Sequence, residues 1–312
     1  MSKIIVTGGA GFIGSHLVDA LVEQNHDVIV IDNFSTGSKK NLEKSRGKVK
    51  ILKTSLLIEK ILKRIPKVLN GTDYIFHLAA LPRIERSIND PIGTHQANVE
   101  GTIVALELAR QLGVKKFLFV SSSSVYGIQK RLPLFESLLP NPQNTYAYQK
   151  LMGEYYSKIY NQMYNLEVII FRLFNVYGPR MFSKGSYKLV FTKWLEQIRS
   201  KQPLTIYGKG DQTRDFTSIT DVVRGLILGM TTELKNQYEI LNLGGGQQKS
   251  IREMAKLFKN NVQFLPPRPY EEKFKEADIN KAKKLLNWKP STSIDEGIKK
   301  LLNYYTIYST TR

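Results

Sequence analysis

Cysteine is absent from the 312-residue chain, and histidine occurs only four times. Without cysteine the chain has no disulfides, no thiolate metal ligands and no cysteine nucleophile, and four histidines leave little room for imidazole chemistry. We therefore expect chemistry that uses no metal ion.

Long apolar runs are also missing. No stretch approaches the roughly 18 consecutive apolar residues that a membrane span needs. After Ile4, Ile5 and Val6 come Thr7 and two glycines, where a secretory signal would continue its apolar segment. A cytoplasmic protein without membrane association is the expectation.

Acidic residues are scarce relative to basic ones. The chain contains 27 Asp and Glu and 46 Lys and Arg, which gives a formal net charge of +19. Such an excess raises the question of a nucleic-acid partner. The lysines are scattered, for example over residues 281–284 and 299–300, and no helix-turn-helix, zinc-finger or aromatic-rich RNA motif accompanies them. We expect a solvated basic surface that attracts a nucleotide diphosphate, and no nucleic-acid partner.

The first half of the chain alternates short β-branched runs with amphipathic stretches, a pattern typical of a parallel sheet with helices on both faces. Predicted helices cover residues 13–24, 98–112 and 146–164. The predicted strands are residues 3–7, 27–31, 49–52, 74–78, 116–120 and 168–172. The sequence predicts an α/β fold with a Rossmann-type doubly wound parallel sheet.

The alternation ends after Gly178-Pro179, where loops and short elements follow. Strands are predicted at residues 204–207 and 239–243, and a helix at 251–258. We expect one domain of residues 1–178, built on this sheet, and a smaller C-terminal lobe of residues 179–312. The border is soft, because the segment near residues 210–245 could return to the main sheet.

A glycine-rich turn follows the first predicted strand and opens the first helix, with Gly8, Gly11 and Gly14 at three-residue spacing. Glycines allow a tight turn and let the backbone approach a pyrophosphate, whose charge a helix N-terminus stabilises. A plain strand-to-helix connection would give the same pattern. Asp32 raises the specificity, because a carboxylate that ends the second strand accepts hydrogen bonds from the adenosine ribose and repels a 2′-phosphate. NAD is therefore favoured over NADP, which makes residues 1–178 the NAD-binding domain and residues 179–312 the substrate-binding lobe. The alternative interpretation is that Asp32 is only a turn residue without a ligand.

Tyr146 and Lys150 lie four residues apart near the start of a predicted helix, so they share one face and the ammonium can lie near the phenol. A phenol with a pKa of about 10 is a poor base at neutral pH, and a nearby cation favours its phenolate. This spacing is common by chance. The serine run at residues 121–124 ends a predicted strand at the mouth of the sheet, where ligands bind, and favours the catalytic interpretation.

Taken together, these motifs resemble the extended short-chain dehydrogenase/reductase family, and within it the UDP-glucose and UDP-N-acetylglucosamine 4-epimerases. The resemblance covers nearly the whole chain. The matching stretches are the glycine turn with Asp32, residues 77–80 (His-Leu-Ala-Ala), 98–102 (Asn-Val-Glu-Gly-Thr), the serine run, Tyr146 with Lys150, residues 172–180, 212–216 and 242–244, and Arg268-Pro269 leading to Asp278.

The resemblance implies a catalytic hydroxyl on Ser122 beside Tyr146 and Lys150, and tightly held NAD as cofactor. The residues that it places at NAD, besides those three, are Gly8, Gly11, Phe12, Ile13, Gly14, Asp32, Asn33, Phe34, Ser35, Thr36, Gly37, Leu56, Leu78, Ala79, Ala80, Asn98 and Phe174. Relatives commonly carry an acidic residue after the third strand, where this chain has Thr54-Ser55-Leu56, so that adenine contact is in doubt.

For the substrate, the resemblance implies a UDP-sugar whose C4 is oxidised and then reduced on the other face. The positions implied to hold it are Ser123, Asn175, Leu189, Val190, Thr205, Tyr207, Arg214, Arg268 and Lys275. Asn175 and the two arginines match residues that grip the diphosphate, and Lys275 matches a position that limits room at the sugar 2-substituent. An exposed lysine without such a role is the alternative for Lys275.

Other functions stay open within this resemblance. A UDP-glucuronate epimerase or decarboxylase would share the fold, and a net oxidoreductase would release its reduced cofactor. A non-catalytic NAD-binding regulator is the alternative of a different class, although such a protein would have no need of Ser122, Tyr146 and Lys150. Relatives usually form homodimers through the helices near residues 98–112 and 146–164, which implies a homodimer here.

Overall fold

The computed structural model of the chain describes residues 1–56, 62, 65–181, 189–267 and 274–309, with side chains up to residue 306. Its strands are β1 (Lys3–Thr7), β2 (Asp27–Asp32), β3 (Val49–Lys53), β4 (Tyr74–His77), β5 (Lys116–Ser122), β6 (Val168–Leu173), β7 (Val176–Tyr177), β8 (Leu204–Tyr207), β9 (Thr213–Asp215), β10 (Thr217–Ser218), β11 (Tyr238–Leu243), β12 (Gln248–Ser250) and β13 (Val262–Leu265). The α-helices in these ranges are α1 (Phe12–Glu23), α2 (Ile84–Asn89), α3 (Pro91–His95), α4 (Gly101–Leu112), α5 (Thr145–Tyr164), α6 (Val190–Arg199), α7 (Ile219–Thr231), α8 (Ile251–Leu257), α9 (Asn280–Leu286) and α10 (Ile294–Ser309).

Seven parallel strands form the main sheet in the order β11-β6-β5-β4-β1-β2-β3. The central strands are buried along their length because helices cover both faces, which is why they read as continuous apolar runs. The predicted Rossmann-type α/β fold is confirmed. The strand order reverses between β1 and β4, and in such sheets ligands bind outside the carboxyl ends of the strands at that point.

Each face of the sheet has its own core. Helix α1 packs on one face through Leu17, Val18 and Leu21, together with Leu226 of α7, all fully buried. Helix α4 covers the other face with apolar side chains that include Leu106. Each such leucine stabilises the fold by about 1.5–3 kcal/mol through burial, so the two cores hold the strand ends in fixed positions.

An aromatic cluster forms the core of the C-terminal lobe. The rings of Phe191 and Phe216 stack with centroids 4.7 Å apart, and Trp194 meets Phe258 edge-on at 5.1 Å. Around this core, β8 pairs with β13 and β9 with β12. These aromatic residues position α6 and β8 over the carboxyl edge of the main sheet.

One strand from the second half of the chain completes the main sheet. The predicted strand at residues 239–243 forms β11, which pairs in parallel with β6 from Tyr238 to Leu243. The sheet therefore contains residues from both halves of the sequence.

A π-helical turn at Gln96–Glu100 precedes α4, so the regular helix begins at Gly101 and not at the predicted residue 98. Within this turn the side chain of Asn98 accepts from the Leu81 backbone N–H at 2.7 Å and donates to the Leu81 carbonyl at 3.1 Å. None of the described helices is both long and apolar enough to cross a bilayer.

Candidate functional site

The glycine turn between β1 and α1 packs too tightly for any side chain. Gly8 has a φ of +69°, and a Cβ there would lie 2.7 Å from the backbone nitrogen of Ala79. A Cβ on Gly14 would lie 2.2 Å from the Gly8 carbonyl oxygen. Close packing of the turn against the end of β4 leaves the N-terminus of α1 open to the cleft, which suits a pyrophosphate.

Asp32 ends β2 beside this turn and is 8% exposed. One carboxylate oxygen accepts from the backbone N–H of Ala10 at 2.9 Å, and the other from that of Phe34 at 2.7 Å. A carboxylate has about four acceptor positions, so both oxygens retain capacity for the hydroxyls of a ribose.

His77, at the end of β4, belongs to a directional chain of hydrogen bonds. The Ala79 backbone N–H donates to Thr7 Oγ1 at 3.3 Å, and that hydroxyl lies 2.8 Å from His77 Nδ1. On the other side, Nε2 lies 3.0 Å from Thr102 Oγ1, which donates to the Asn98 carbonyl at 2.7 Å. This pattern places the ring proton on Nε2. Burial, followed by the charge of Lys150, lowers the pKa of His77 to about 3, so the ring is neutral and structural.

Ser122 and Tyr146 meet at the carboxyl end of β5. Ser122 ends the strand, and Asn144 caps α5 by accepting from the Ala147 N–H at 3.0 Å, which fixes Tyr146 in the first turn. Burial raises the pKa of Tyr146 to about 12, and a hydrogen bond from Ser122 partly offsets this rise. Additional positive charge near the phenol is therefore needed before it can accept a proton at neutral pH.

Lys150 lies one turn further along α5 and is 4% exposed. Its Nζ donates to the Val120 carbonyl at 2.8 Å and lies 4.9 Å from the centre of the Phe119 ring. Burial lowers the pKa of Lys150 to about 8, and the carboxylate of Glu154 partly counteracts this. The ammonium is thus cationic at neutral pH and can lose its proton in mildly alkaline solution.

A continuous cleft of about 1950 Å³ connects the glycine turn, the serine run and the C-terminal lobe. Pockets for a single small ligand usually measure roughly 300–1,000 Å³, so this cleft has room for a dinucleotide and a second nucleotide. Every predicted catalytic residue lines it: Ser122, Tyr146 and Lys150.

Most of the predicted cofactor residues line the same cleft: Gly8, Gly11, Phe12, Ile13, Gly14, Asp32, Asn33, Ser35, Thr36, Leu56, Leu78, Ala79 and Ala80. Four other predicted residues, all in the described ranges, do not line the cleft: Phe34 and Gly37, which are partly exposed, and Asn98 and Phe174, which are buried. Asn98 is turned toward Leu81 and Gln149, and Phe174 is fully buried against Tyr126. For Asn98 and Phe174, these contacts direct the side chain away from the cleft.

The predicted substrate residues come from the C-terminal lobe and from the ends of β5 and β6. Those that line the cleft are Ser123, Asn175, Leu189, Val190, Thr205, Tyr207, Arg214 and Lys275. Arg268 lies outside the described residues. Lys275 is only 6% exposed, so the alternative of a surface lysine is wrong.

Asp215 connects Arg214 to the segment that carries Lys275. Its carboxylate accepts from the backbone N–H groups of Gly245, of Gly246 at 3.1 Å and of Ala277 at 2.9 Å. Burial raises the pKa of Asp215 to about 6 despite these hydrogen bonds. The two basic residues thus share one backbone anchor beneath the cleft.

A wall of the cleft that the sequence did not predict follows β4. It consists of Leu81, Pro82, Arg83, Ile84, Glu85, Arg86 and Ile88. Arg83 has a φ of +102°, a strained conformation for a residue with a side chain. Asp90 caps α3 ahead of Pro91, and this helix-start pattern is the sequence signal that could have indicated the wall.

Comparison with known proteins gives a consistent result. The family model described as the NAD dependent epimerase/dehydratase family matches residues 4–244. A Methanocaldococcus jannaschii protein provisionally named a UDP-glucose 4-epimerase is 37% identical over 309 residues, covering 96% of this chain and 97% of the relative. UDP-glucuronic acid decarboxylase 1 of Danio rerio is 33% identical over 315 residues, covering 97% of this chain and 72% of the relative.

Solved structures of related enzymes superpose on nearly the whole chain. A UDP-N-acetylglucosamine 4-epimerase from Methanobrevibacter ruminantium M1, in complex with UDP-N-acetylmuramic acid, has a TM-score of 0.92 at 31% identity and covers 98% of this chain and 99% of its own. A UDP-glucuronic acid 4-epimerase from Bacillus cereus, in complex with UDP-glucuronic acid and NAD, has a TM-score of 0.87 at 33% identity, with 98% and 99% coverage. These proteins act on different sugars, so similarity alone does not select one.

Proposed function

Because the chain belongs to the NAD dependent epimerase/dehydratase family, we propose that it is a UDP-hexose 4-epimerase acting on UDP-glucose and UDP-galactose. One observation carries the proposal: the side chains of Ser122, Tyr146 and Lys150 line the same cleft as the glycine turn. This arrangement suits proton removal from a sugar hydroxyl next to a dinucleotide.

The described residues fit NAD. The turn at Gly8 and Gly14 leaves no room for side chains, and Asp32 has acceptor capacity for a ribose. The NAD prediction agrees with the family description. When bound, NAD⁺ would supply the hydride acceptor and donor for C4 of the sugar. The chain supplies the turn that holds the pyrophosphate and the carboxylate that selects the ribose.

Proton transfer falls to the residues of β5 and α5. Tyr146 accepts the proton of the sugar 4-hydroxyl, and Ser122 orients that hydroxyl and the phenol. The cation of Lys150 favours the phenolate. Positions 123 and 124 are both serine, so they hold no carboxylic acid to protonate a leaving hydroxyl or a carbanion, which favours epimerisation over dehydration or decarboxylation.

Epimerisation at C4 also requires a fixed nucleotide while the keto sugar turns over. We assign this anchoring to Asn175 and Arg214 at the diphosphate, since charge-assisted bonds to phosphate are strong. The uridine pocket consists of Leu189, Val190, Thr205 and Tyr207, which line the cleft on the C-terminal lobe.

A second candidate is the epimerisation of UDP-glucuronate. The observation that favours it is Lys275, a nearly buried basic residue that lines the cleft. An ammonium inside a cleft is suited to pairing with the carboxylate of an acidic sugar. The similarity to the Bacillus cereus enzyme is consistent with this candidate.

We also propose that the chain forms a homodimer through α5. Five large apolar side chains lie on one face of this helix and are 41–71% exposed: Tyr148, Met152, Tyr155, Ile159 and Met163. An exposed apolar stripe of this length is typical of an interaction surface. A double Met152→Glu/Ile159→Lys variant should elute as a monomer in size-exclusion chromatography with light scattering. A monomeric wild type would contradict the proposal.

The test of function uses purified protein without added cofactor. UDP-glucose, UDP-galactose, their N-acetyl forms and UDP-glucuronate are incubated separately, and the sugar nucleotides are separated by anion-exchange chromatography. We expect interconversion of UDP-glucose and UDP-galactose without accumulation of reduced nicotinamide. Accumulation of reduced nicotinamide would instead identify an oxidoreductase, and formation of a pentose from UDP-glucuronate a decarboxylase.

Tyr146→Phe is the matched control for this assay. It removes the proton acceptor and little volume, so turnover should fall by about 10²- to 10⁴-fold while NAD stays bound. Near-normal turnover in this variant would remove Tyr146 from the mechanism.

A further inference from the structure

One turn beyond Lys150 on α5, Glu154 forms a buried ion pair with Arg172 of β6. Glu154 and Arg172 are each 2% exposed, and their side chains meet in a two-pronged contact of 3.0 Å from Nε and 2.6 Å from Nη2. Ser121 donates a third hydrogen bond to Glu154 at 2.5 Å. The pair therefore connects α5 to β6 and β5, directly beneath the catalytic end of the sheet.

Arg172 is held from its other side as well. Its Nη1 donates to the Glu136 carbonyl at 3.3 Å, and its guanidinium carbon lies 4.6 Å from the centre of the Tyr126 ring. The Tyr126 hydroxyl donates to Asn242 Oδ1 at 2.6 Å. The guanidinium is thus fixed in place and cannot turn toward Lys150.

Stability alone is a weak reason for such a pair, because well-packed apolar residues often stabilise a core as well as a buried ion pair does. Its position suggests another reason. The titratable groups that interact electrostatically with Lys150 are His77 of β4 and Glu154, one turn further along α5. His77 is neutral and Tyr146 is an uncharged phenol in the free protein. Among these, Glu154 supplies the negative charge.

We infer that Glu154 and Arg172 are a charge-balancing pair of positioning residues: Glu154 keeps Lys150 protonated, and Arg172 offsets enough of the Glu154 charge that a net positive charge remains beneath Tyr146. The three side chains together carry one net positive charge. Burial lowers the pKa of Lys150 and the carboxylate of Glu154 raises it. The second effect agrees with the role given to Glu154. The inference rests on the proposed function in that it takes Tyr146 as the base.

The experiment compares Glu154→Gln, Arg172→Met and the double variant. Glu167→Gln serves as the matched control, because Glu167 pairs at 2.9 Å with the buried Lys116 at the opposite end of β5. Two quantities are measured on the holoenzyme: the pH profile of kcat, and the pKa of Tyr146 from ultraviolet difference titration against each variant carrying Tyr146→Phe.

The single variants should shift the profile in different ways. Glu154→Gln removes the anion, so Lys150 loses its proton more readily and the alkaline limb moves down by about one pH unit. Arg172→Met leaves the anion uncompensated, so the Tyr146 phenolate is disfavoured and the acid limb and the titrated Tyr146 pKa both move up. The double variant restores one net positive charge and should return both limbs toward wild type, and Glu167→Gln should leave them unchanged.

Several results would overturn the inference. A loss of kcat without any shift of the limbs, or a double variant no closer to wild type than the singles, would make the pair merely structural. If Glu154→Gln does not fold, Glu154→Asp and the double variant decide, since both should keep the wild-type limbs. Absence of turnover by wild type on every UDP-sugar would defeat the proposed function, whereas the titration needs no substrate and would still test the pair.

Discussion

The backbone N–H of Tyr146 donates a 3.0 Å hydrogen bond to the side-chain oxygen of Ser87, a fully buried residue of α2. The Ser87 hydroxyl in turn donates to the Ile84 carbonyl at 2.7 Å. The cleft wall of α2 is thus attached to the first turn of α5, which carries Tyr146.

Ser87→Ala should disturb catalysis more than binding. The substitution leaves the Tyr146 N–H without its acceptor, which costs about 1–3 kcal/mol of stability, and it loosens the phenol. We expect kcat to fall by about tenfold with KM for the UDP-sugar nearly unchanged. Ser157→Ala is the matched control, because Ser157 is equally buried on α5 and donates within the helix to Gly153. Equal effects of both variants on kcat would contradict a specific role for Ser87.

The pH dependence should reflect Lys150. Because burial lowers its pKa to about 8, the ammonium is present below that pH and is lost as the pH rises through it. Tyr146 needs the cation, so kcat/KM of the holoenzyme should decline above about pH 8. Lys150→Arg keeps the positive charge at all these pH values and should abolish the decline, at a lower maximal rate. A decline of the same shape in that variant would assign it to another group.

Arg214→Ala tests the nucleotide anchor. If Arg214 makes one charged hydrogen bond to the diphosphate, its loss should weaken binding of UDP by about 1.5–3 kcal/mol in isothermal titration calorimetry. The NAD content of the purified protein should not change. Arg252→Ala is the control, since Arg252 is an exposed arginine of the same lobe that donates to the Lys209 carbonyl. Unchanged UDP affinity in Arg214→Ala would show that the anchor lies elsewhere.

Lys275→Ser tests substrate selection. The long side chain of Lys275 lines the cleft and is nearly buried, so its removal should open space near the sugar. We expect kcat/KM for UDP-N-acetylglucosamine to rise relative to UDP-glucose. A wild type that handles both sugars equally, or a ratio that stays constant in the variant, would show that Lys275 does not limit the 2-substituent.

The sequence predicted those parts of the site that depend on local backbone geometry. The turn at Gly8 and the end of β2 at Asp32 lie close to where periodicity placed them, because glycine spacing and strand length are local properties. The α/β fold class was predicted from the alternation of β-branched runs with amphipathic stretches in the first half of the chain.

What the sequence did not predict depends on side-chain direction across long separations. Ser87 lies 59 positions before the backbone group that it binds, and no local pattern indicates that pairing. Asn98 and Phe174 match family motifs, yet their side chains point into the protein behind the cleft. A motif identifies a position in the fold, but packing decides which way its side chain faces.

Strand β11 limits how the specificity of this enzyme can be engineered. A chimera that joined residues 1–178 to the C-terminal half of a relative would replace the strand that borders β6, and with it the register from Tyr238 to Leu243. Asn242 of that strand also donates to the carbonyls of Leu134 and Asp278. A strand from a relative would have to make the contact with Leu134, which comes from this chain, as well as the contact within its own half. Sugar preference is therefore better transferred by exchanging individual cleft residues than by recombining whole lobes.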